Sequence, residues 1–492
     1  MPDSLEPIVN LARRRGFFFP SSELYGGASG LLDLGPLGTE LNTNIKKLWW
    51  QRFIRERDDM VGLDSAILTP AAVLKASGHV DSFSDPLIEC GNCQIRLRSD
   101  HYLEEENVTI WLARWSGEAS KQRGTSSKKD NEAALEAAQA YFDFSADPAV
   151  PRLNVSQREL TCPNPNCRKR EYGEPRQFNM MFQVNLGAIQ NEGSVAYLRP
   201  ETAQGIFTNF KNVLDSNRLK LPFGIGQIGK AFRNEITIGN SLFRVREFEQ
   251  AEIEYFVKPG EDEAAHSCWI DDVERFLLED IGLKKEKLRR YEHAAEKLSH
   301  YSKRTVDMEY DYPFGGFSEL WGIANRTDYD LSQHQKYSGR DLSYFEEATR
   351  ERFTPYVIEP SVGLGRLMLA ILSDAYVEYP LGRDGKSGEM ETVLHLATAL
   401  APVRVAVLPL MKKDGLAEKA REIHQHLYCT VASQYDESGA IGRRYRRQDE
   451  IGTPSCVTVD YQTLEDGTVT LRDRDTMEQQ RVSISELYSI IE

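Results

Sequence analysis

The sequence predicts an α+β protein that ends in a small α/β domain, and three observations carry that prediction. Residues 232–256, FRNEITIGNSLFRVREFEQAEIEYF, read as two β arms around a Gly239–Asn240 loop, the return arm alternating with period two. Charged helical blocks interrupt this β-rich region at long intervals. From about residue 402 the texture changes to short alternating elements: VRVAVLPL, LAEKAREIHQHLY, CTVASQYD, IGRRYRRQDEIG and SCVTVDY, then a hairpin-like GTVTLRDRDTMEQQRVSI.

Taken in order, the start MPDSLEPIVNLARRRGFFFP has early acids and no long apolar run, so no signal peptide is expected. Residues 30–54 pass from a Gly/Pro turn into a helix with Leu41, Ile45, Leu48, Trp49 and Phe53 on one side. That stripe fits a core, and the Trp49–Trp50 pair fits a subunit interface as well. GEASKQRGTSSKKD and NEAALEAAQAYF mark residues 91–159 as an insertion bounded by cysteine pairs, and 257–312 reads as a second, mostly helical insertion. The expected domains are therefore an interrupted core (1–90 and 160–400), these two insertions, and an α/β domain over 401–492.

The chain has 492 residues, 40% hydrophobic and 27% charged, with a formal net charge of -15, which argues against a protein that coats nucleic acid without selectivity. A local basic surface remains compatible with RNA binding. The most apolar stretch, VLHLATALAPVRVAVLPLM, is broken by His395, Pro402, Arg404 and Pro409, so no membrane span is expected. Seven cysteines in so long a chain fit thiols in a reducing cytoplasm better than a disulfide framework.

GIGQIGKAF, from Gly224, contains G-x-G-x-x-G and most of a P-loop, but Ala231 stands where Ser or Thr is needed, and AFRNEITIGN reads as strand and turn where a helix is required. Cys90 and Cys93, with Cys162 and Cys167, have zinc-ribbon spacing and are a candidate structural Zn²⁺ site, the alternative being four reduced thiols. EPSVGLGRLMLAIL leads two glycines into an apolar helix with Arg366 in its first turn, a charge that packing alone does not explain. On the return arm of the hairpin, Arg244, Arg246, Phe248, Gln250, Glu252 and Glu254 share a face, and Arg233 and Glu235 share one on the incoming arm. A wet sheet face carries mixed charge too. Cations for phosphates, an aromatic for a base and carboxylates for an ammonium group nevertheless make a platform for a nucleoside triphosphate beside an amino acid.

FRNE…FRVREFEQAEIE resembles motif 2 of the class II aminoacyl-tRNA synthetases, and GLGR resembles their motif 3. GLLDLGPLG…WW, ASGHVDSFSDP, EPRQFNMMF, YLRPETAQGIFTNFKNV, FSELWGIANRTDYDL and GRRYRRQDEIGTP resemble the homodimeric glycyl-tRNA synthetase family over nearly the whole chain outside the two insertions. The resemblance implies an antiparallel sheet flanked by helices and a C-terminal anticodon-binding domain. It implies a cytoplasmic homodimer whose substrates are ATP, glycine and tRNA(Gly), with Mg²⁺ as the catalytic metal. Glycine would be activated to glycyl-adenylate with release of pyrophosphate, then transferred to the 3′ end of the tRNA. No enzyme nucleophile is needed, so positioning and charge carry the reaction.

Carried over residue by residue, the resemblance implies that Arg233, Arg366 and Glu319 are catalytic. Arg233 bridges the α-phosphate and the glycine carboxylate, Phe248 stacks on adenine, Glu235 touches the base edge, Arg244 or Arg246 with Arg366 meets the outer phosphates, and Glu319 takes Mg²⁺. The ATP site further includes Asn234, Phe243, Val245, Glu247, Leu320, Gly363, Leu364 and Gly365. The glycine site comprises Arg98, Glu174, Glu201, Phe248, Glu249, Gln250, Ala251, Glu252, Glu359, Pro360, Ser361, Val362 and Gly363. The alternatives are a non-catalytic tRNA-binding relative, which the presence of Arg233, Glu319 and Arg366 disfavours, and a kinase or dehydrogenase built on GIGQIGK.

Overall fold

The protein is described by a computed structural model over residues 4–98, 162, 164, 166–167, 176–187, 194–294, 298–299, 301–383 and 388–491. It divides into two compact units: Met1–His79 with Phe182–Arg233 and Gly239–Glu492, and Val80–Met181 with Asn234–Ile238.

The larger unit is built on seven strands: β1 (Met60–Gly62), β2 (Phe223–Phe232), β3 (Glu247–Val257), β4 (Leu288–Glu292), β5 (Arg304–Tyr312), β6 (Gly316–Thr327) and β7 (Tyr356–Gly363). Their order is β4-β5-β6-β7-β3-β2-β1, antiparallel throughout except for β1 beside β2. The helices that matter here are α1 (Glu6–Arg15), α2 (Pro36–Trp50), α3 (Ala203–Asn217), α4 (Asp262–Arg275), α5 (Tyr329–Ser338) and α6 (Leu364–Ala375). On one sheet face Ile253, Met308, Trp321 and Val362 form a single core with Leu41, Ile45, Trp49 and Phe53 of α2 and its extension, Trp269 of α4 and Leu367 of α6. Phe223, Phe256 and Val357 face the other way, onto Ile206, Phe207 and Phe210 of α3. The mixed helices and antiparallel sheet bear out the α+β class.

The hairpin sits earlier in the chain than its sequence suggests. Phe223 pairs with Phe256 and Phe232 with Glu247, so GIGQIGKAF is the incoming arm and residues 233–246 are a long loop. Asn240 and Ser241 both take φ 58°, the left-handed region, and open a short 3₁₀ turn over Ser241–Phe243. Arg244 and Arg246 therefore belong to that loop and not to the strand face. The glycines of β2 hold close approach and not phosphate: a Cβ on Gly226 would lie 2.4 Å from Ile54 Cδ1, and one on Gly229 would lie 2.1 Å from Arg199 Nη2.

Residues 257–312, expected to be mostly helical, hold α4 and a following π-turn but also β4 and β5, two strands of the central sheet. In β5 Val306, Met308, Tyr310 and Tyr312 enter the helix-side core, while Asp307, Glu309 and Asp311 alternate with them. That run of acids hid a period-two pattern inside a segment that reads as charged.

Near the C-terminus, β8 (Val405–Pro409), β9 (Ser433–Tyr435), β10 (Ser455–Val459), β11 (Thr468–Asp473) and β12 (Gln479–Ser483) form a sheet of order β9-β8-β10-β11-β12. The first three are parallel and the last two antiparallel. With α7 (Leu416–Tyr428) and α8 (Ile441–Asp449), this region has its own core of Val405, Val407, Leu416, Ala420, Ile423, Val457, Val469 and Leu487. None of the helices among the described residues is long and apolar enough to cross a membrane.

In the smaller unit, strand Ser84–Glu89 pairs with Arg96–Arg98 on one side and Arg176–Asn179 on the other. From residue 99 on, the expected insertion over 91–159 lies outside the described residues, as does Glu174.

Candidate active site

Alternation along β3 divides its residues between two environments. Ala251 and Ile253 enter the helix-side core. Glu249 also points that way and is held by Asn42 Nδ2 and Lys46 Nζ of α2, each at 2.6 Å. Gln250, Glu252 and Glu254 point to the other face, where all three are buried. β7 alternates likewise: Val362 joins the helix-side core, while Glu359 and Ser361 point toward β3's carboxylates. Of the expected glycine site, the structure thus gathers Glu252, Glu359, Ser361 and Gln250 on one face. Glu249, Ala251 and Val362 do not join them, because a contiguous run of residues cannot face one way in a strand.

The gathered carboxylates are tightly held. Ser361 Oγ donates to Glu252 at 2.7 Å, Thr202 Oγ1 donates to its other oxygen, and Gln250 Nε2 donates to Ser361 Oγ at 3.4 Å. Glu201 accepts from Gln204 Nε2 at 2.9 Å and has His79 Nε2 3.4 Å away. Arg326, which the sequence reading missed, is buried between Asp330 of α5 (Nε–Oδ2 2.7 Å) and Glu359 (Nη1–Oε2 2.7 Å). Its guanidinium lies 3.9 Å from the centre of the Tyr301 ring. Burial first, then neighbouring carboxylates, pushes Glu252 and Glu254 above the usual carboxylate range and Glu359 up to about 8. Glu201 is held low against its burial, by His79 and then Arg326. Acids gathered at such buried positions are costly to ionise without a compensating cation.

Arg233, at the end of β2, donates from Nε to the Pro200 carbonyl at 3.0 Å and sets its guanidinium 5.6 Å from the Phe248 ring centre. The expected phosphate-binding cation and the expected base-stacking ring are thus neighbours. Arg246 donates from Nη1 to the Ser29 carbonyl at 2.8 Å, Arg244 is exposed, Val245 is buried, and Glu247 pairs with Lys230 at 3.1 Å. Gly363 ends β7, Leu364 is buried at the start of α6, and Gly365 packs against the Leu242 carbonyl, where a Cβ would lie 3.1 Å away. Arg366, on the first turn of α6, lies 4.4 Å from the Phe243 ring centre and pairs with Glu319 of β6 at 2.9 Å. The charge of Arg366 holds Glu319 below the usual carboxylate range, so a hard oxygen donor is kept ionised there. Leu320, the next residue, is in the core, and Pro360 is buried between Glu359 and Ser361. Asn234 and Glu235 belong to the smaller unit, as does Arg98, whose side chain lies outside the described residues.

Residues 182–375 match the family described as the tRNA synthetase class II core domain (G, H, P, S and T), and residues 404–492 match the anticodon binding domain. The chain is 50% identical over 487 residues to a glycine–tRNA ligase of Streptomyces coelicolor, covering 99% of this chain and 97% of that one. It is 48% identical to the one of Thermobifida fusca (99% and 96% covered) and 49% identical to the one of Caldanaerobacter subterraneus (99% and 98% covered). The chain belongs to the glycine–tRNA ligase family. The family match takes in every element of the acidic pocket, from Glu201 to α6, and the anticodon-binding match begins at β8.

Within the smaller unit, Cys90, Cys93, Cys162 and Cys167 place their sulfurs within 4.8 Å of one another. Cys90 Sγ is 3.8 Å from Cys167 Sγ and Cys93 Sγ is 3.5 Å from Cys162 Sγ, too far for disulfides. Tetrahedral Zn²⁺ with bonds of about 2.3 Å sets its sulfurs about 3.8 Å apart, so the four residues fit the ion. Purified without chelators, the protein is expected to carry about one Zn²⁺ per chain, lost in Cys162→Ser, by elemental analysis. Absence of zinc from the parent protein counts against the site.

On α8 the basic run GRRYRRQ is largely built into the fold. Arg444 is buried and donates to the Gly439 carbonyl at 2.9 Å, Arg447 Nε donates to Asp436 at 3.0 Å, and Arg446 pairs with Glu389 and Glu391. Arg443 is exposed. The basic residues of α8 are therefore mostly structural, and little of that cluster is left for phosphates.

Proposed function

We propose that the protein is a glycine–tRNA ligase, which joins glycine to ATP as glycyl-adenylate, releases pyrophosphate, and passes glycine to the 3′ end of tRNA(Gly). The observation that carries this reading is the cluster of Glu201, Glu252 and Glu359, buried or nearly so, with Glu252 on the strand face that also carries Phe248, whose ring lies 5.6 Å from the Arg233 guanidinium. Glycine has no side chain to grip. Its ammonium group is taken by the carboxylates of Glu201, Glu252 and Glu359 with Ser361, which Thr202 and Gln250 hold in place through hydrogen bonds to Glu252 and Ser361.

Adenine stacks on Phe248, and Arg233 holds the glycine carboxylate against the α-phosphate. A planar guanidinium spans both groups and follows the negative charge as the carboxylate oxygen attacks phosphorus and pyrophosphate leaves. Arg366, with Arg244 or Arg246, takes the outer phosphates, and Glu235 reads the base edge. Bound Mg²⁺, for which the ionised Glu319 is a suitable ligand, neutralises phosphate charge. The region from β8 to the C-terminus binds the tRNA, and the core is residues 1–90 and 160–400 as one catalytic domain.

A cytoplasmic homodimer completes the reading. Trp49 is in the core, but Trp50 lines a cleft of about 710 Å³ with Lys47, Arg55 and Arg404, a face of α2 that a second copy can cover. The test is ATP–pyrophosphate exchange with each amino acid in turn. Glycine alone is expected to support it, and exchange with another amino acid or with none overturns the reading.

A further inference from the structure

Glu254 is not needed by the scheme above, yet it is among the most deeply buried charged side chains of the protein, with no exposed surface. Neither of its carboxyl oxygens has a hydrogen-bond partner among the described residues. The register pairs Glu252 with Ser361 and Tyr255 with Ile358 on antiparallel strands, which sets Glu254 directly across from Glu359. A carboxyl oxygen from each of Glu252, Glu254 and Glu359 falls within 4.8 Å of the others. Two like charges directly opposite on neighbouring strands repel, and in a dry site they cannot both be ionised.

The groups facing this pair can be counted. Arg326 of β6 is committed to Glu359 and to Asp330 of α5, and Glu252 lies two residues along β3. Glu201 faces the pocket from the segment before α3 with His79 against it, and Tyr301 covers Arg326. Among the described residues, five carboxylates therefore face one buried arginine and one histidine. With Arg326 holding one oxygen of Glu359 at 2.7 Å, Glu359 is the better anion of the pair. Glu254 has no cation of its own among the described residues, which makes it the better acid.

We propose that Glu254 is a positioning residue: a neutral carboxylic acid whose proton bonds to Glu359, fixing that carboxylate toward the glycine ammonium group. Burial and the neighbouring Glu359 both push Glu254 upward, in keeping with a retained proton. The inference rests on the ligase reading, since it takes Glu359 to be a glycine contact. It also accounts for how the pocket can be acidic enough to select an ammonium group yet stable when empty: one of its acids is a donor and not a charge.

Three forms of the full-length protein separate this role from its rivals: the parent, Glu254→Gln, which keeps a neutral donor of the same shape, and Glu254→Leu, which keeps volume but no donor. In glycine-dependent pyrophosphate exchange, Glu254→Gln is expected to hold the KM for glycine within about 3-fold of the parent, while Glu254→Leu raises it by about 10-fold or more. The KM for ATP stays near the parent's in both. The pH profile adds a second readout, compared between the Gln and Leu forms. Glycine binding favours ionised Glu359, whose carboxyl burial pushes upward, so the KM for glycine falls as pH rises through the titration of that group. A lost donor makes ionisation harder, so this fall moves to higher pH in Glu254→Leu and stays in place in Glu254→Gln. His79 is common to all three forms and cancels in the comparison.

A Gln form as impaired as the Leu form, with both folded by circular dichroism, means that the site needs a charge at Glu254 and overturns the proposal. A Leu form equal to the Gln form in KM and pH profile means that no proton is used, which also overturns it. A Leu form that does not fold leaves the decision to the Gln form, whose KM and pH profile must match the parent's or the proposal fails. A parent protein without glycine-dependent exchange counts against the ligase reading itself, and that result is distinct from all of these.

Discussion

Replacing Arg233 by alanine is expected to lower glycine-dependent pyrophosphate exchange by on the order of 10²–10³ while the fold survives. Two features of its position carry that expectation. Its Nε donates to the Pro200 carbonyl, at 3.0 Å, which helps fix the plane of the guanidinium. Its charge lies 5.6 Å from the Phe248 ring, so the cation proposed for the α-phosphate borders the ring proposed for the base. A contact that strengthens as charge develops on the α-phosphate acts on the transition state more than on the bound substrates. The loss should therefore appear mainly in kcat, with smaller changes in the KM for glycine and for ATP.

The cost to stability should be small, because Arg233 is only partly buried and the Pro200 carbonyl it leaves can turn to water, a matter of about 1 kcal/mol. Arg233→Lys separates charge from shape. Lysine restores a point charge but not the planar fork, so it should recover only part of the lost rate. Exchange in Arg233→Ala within a few-fold of the parent's would sink the assignment of this residue to the α-phosphate.

What could be read from the sequence follows the range over which each feature is encoded. Arg233, Phe248, Glu252, Glu319, Glu359 and Arg366 lie in short, recognisable runs, and the structure sets Arg233 beside Phe248, Glu252 near Glu359, and Arg366 on Glu319. Where whole runs were carried over, alternation was lost: Glu249 and Ala251 were placed with Glu252, though only every second residue of β3 can share its face. Glu249 instead ties the sheet to α2 through Asn42 and Lys46, contacts made across more than 200 residues of chain.

Arg326 was invisible for a related reason. Nothing in NRTDYD says that its arginine is buried, because its meaning comes from Glu359 on the neighbouring strand and Tyr301 across the pocket. The hairpin's incoming arm is hard to see in the sequence because GIGQIGKAF has few of the β-branched residues that usually mark a strand. Those glycines are there to let Ile54 and Arg199 approach the sheet. On α8, a run of arginines that resembles a phosphate-binding face is mostly consumed by carbonyls and carboxylates within reach, which composition alone does not distinguish from a free basic patch.

Removing the C-terminal region should separate the two chemical steps. Every residue assigned to adenylate formation lies before residue 367, and the region from β8 on has a hydrophobic core of its own, distinct from the one beneath the central sheet. The cut is best placed after Pro402. Asn44 of α2 donates to the carbonyls of Leu400 and Ala401, at 3.4 and 3.1 Å, and Leu394, Leu396 and Leu400 belong to the core of the larger sheet. A shorter chain would lose these contacts. The truncation still forfeits the ion pairs of Arg383 with Asp449 and of Arg15 with Glu450, so a lower melting temperature is expected. Arg383 keeps Glu391 as a partner, at 3.2 Å, so its charge is not left buried and alone. If the truncated chain is dimeric by sedimentation and melts cooperatively, glycine-dependent exchange should persist within about 10-fold of the parent's, because no group in contact with the reacting atoms has been removed. Charging of tRNA(Gly) should fall far more, through a KM for tRNA raised on the order of 10²-fold, equivalent to the loss of about 2.7 kcal/mol of binding. A folded truncated dimer that charges tRNA normally would show that the tRNA is read elsewhere in the molecule. One that is folded but has lost exchange along with charging would show that the C-terminal region supports the catalytic site itself, and the division of labour between the two regions would have to be redrawn.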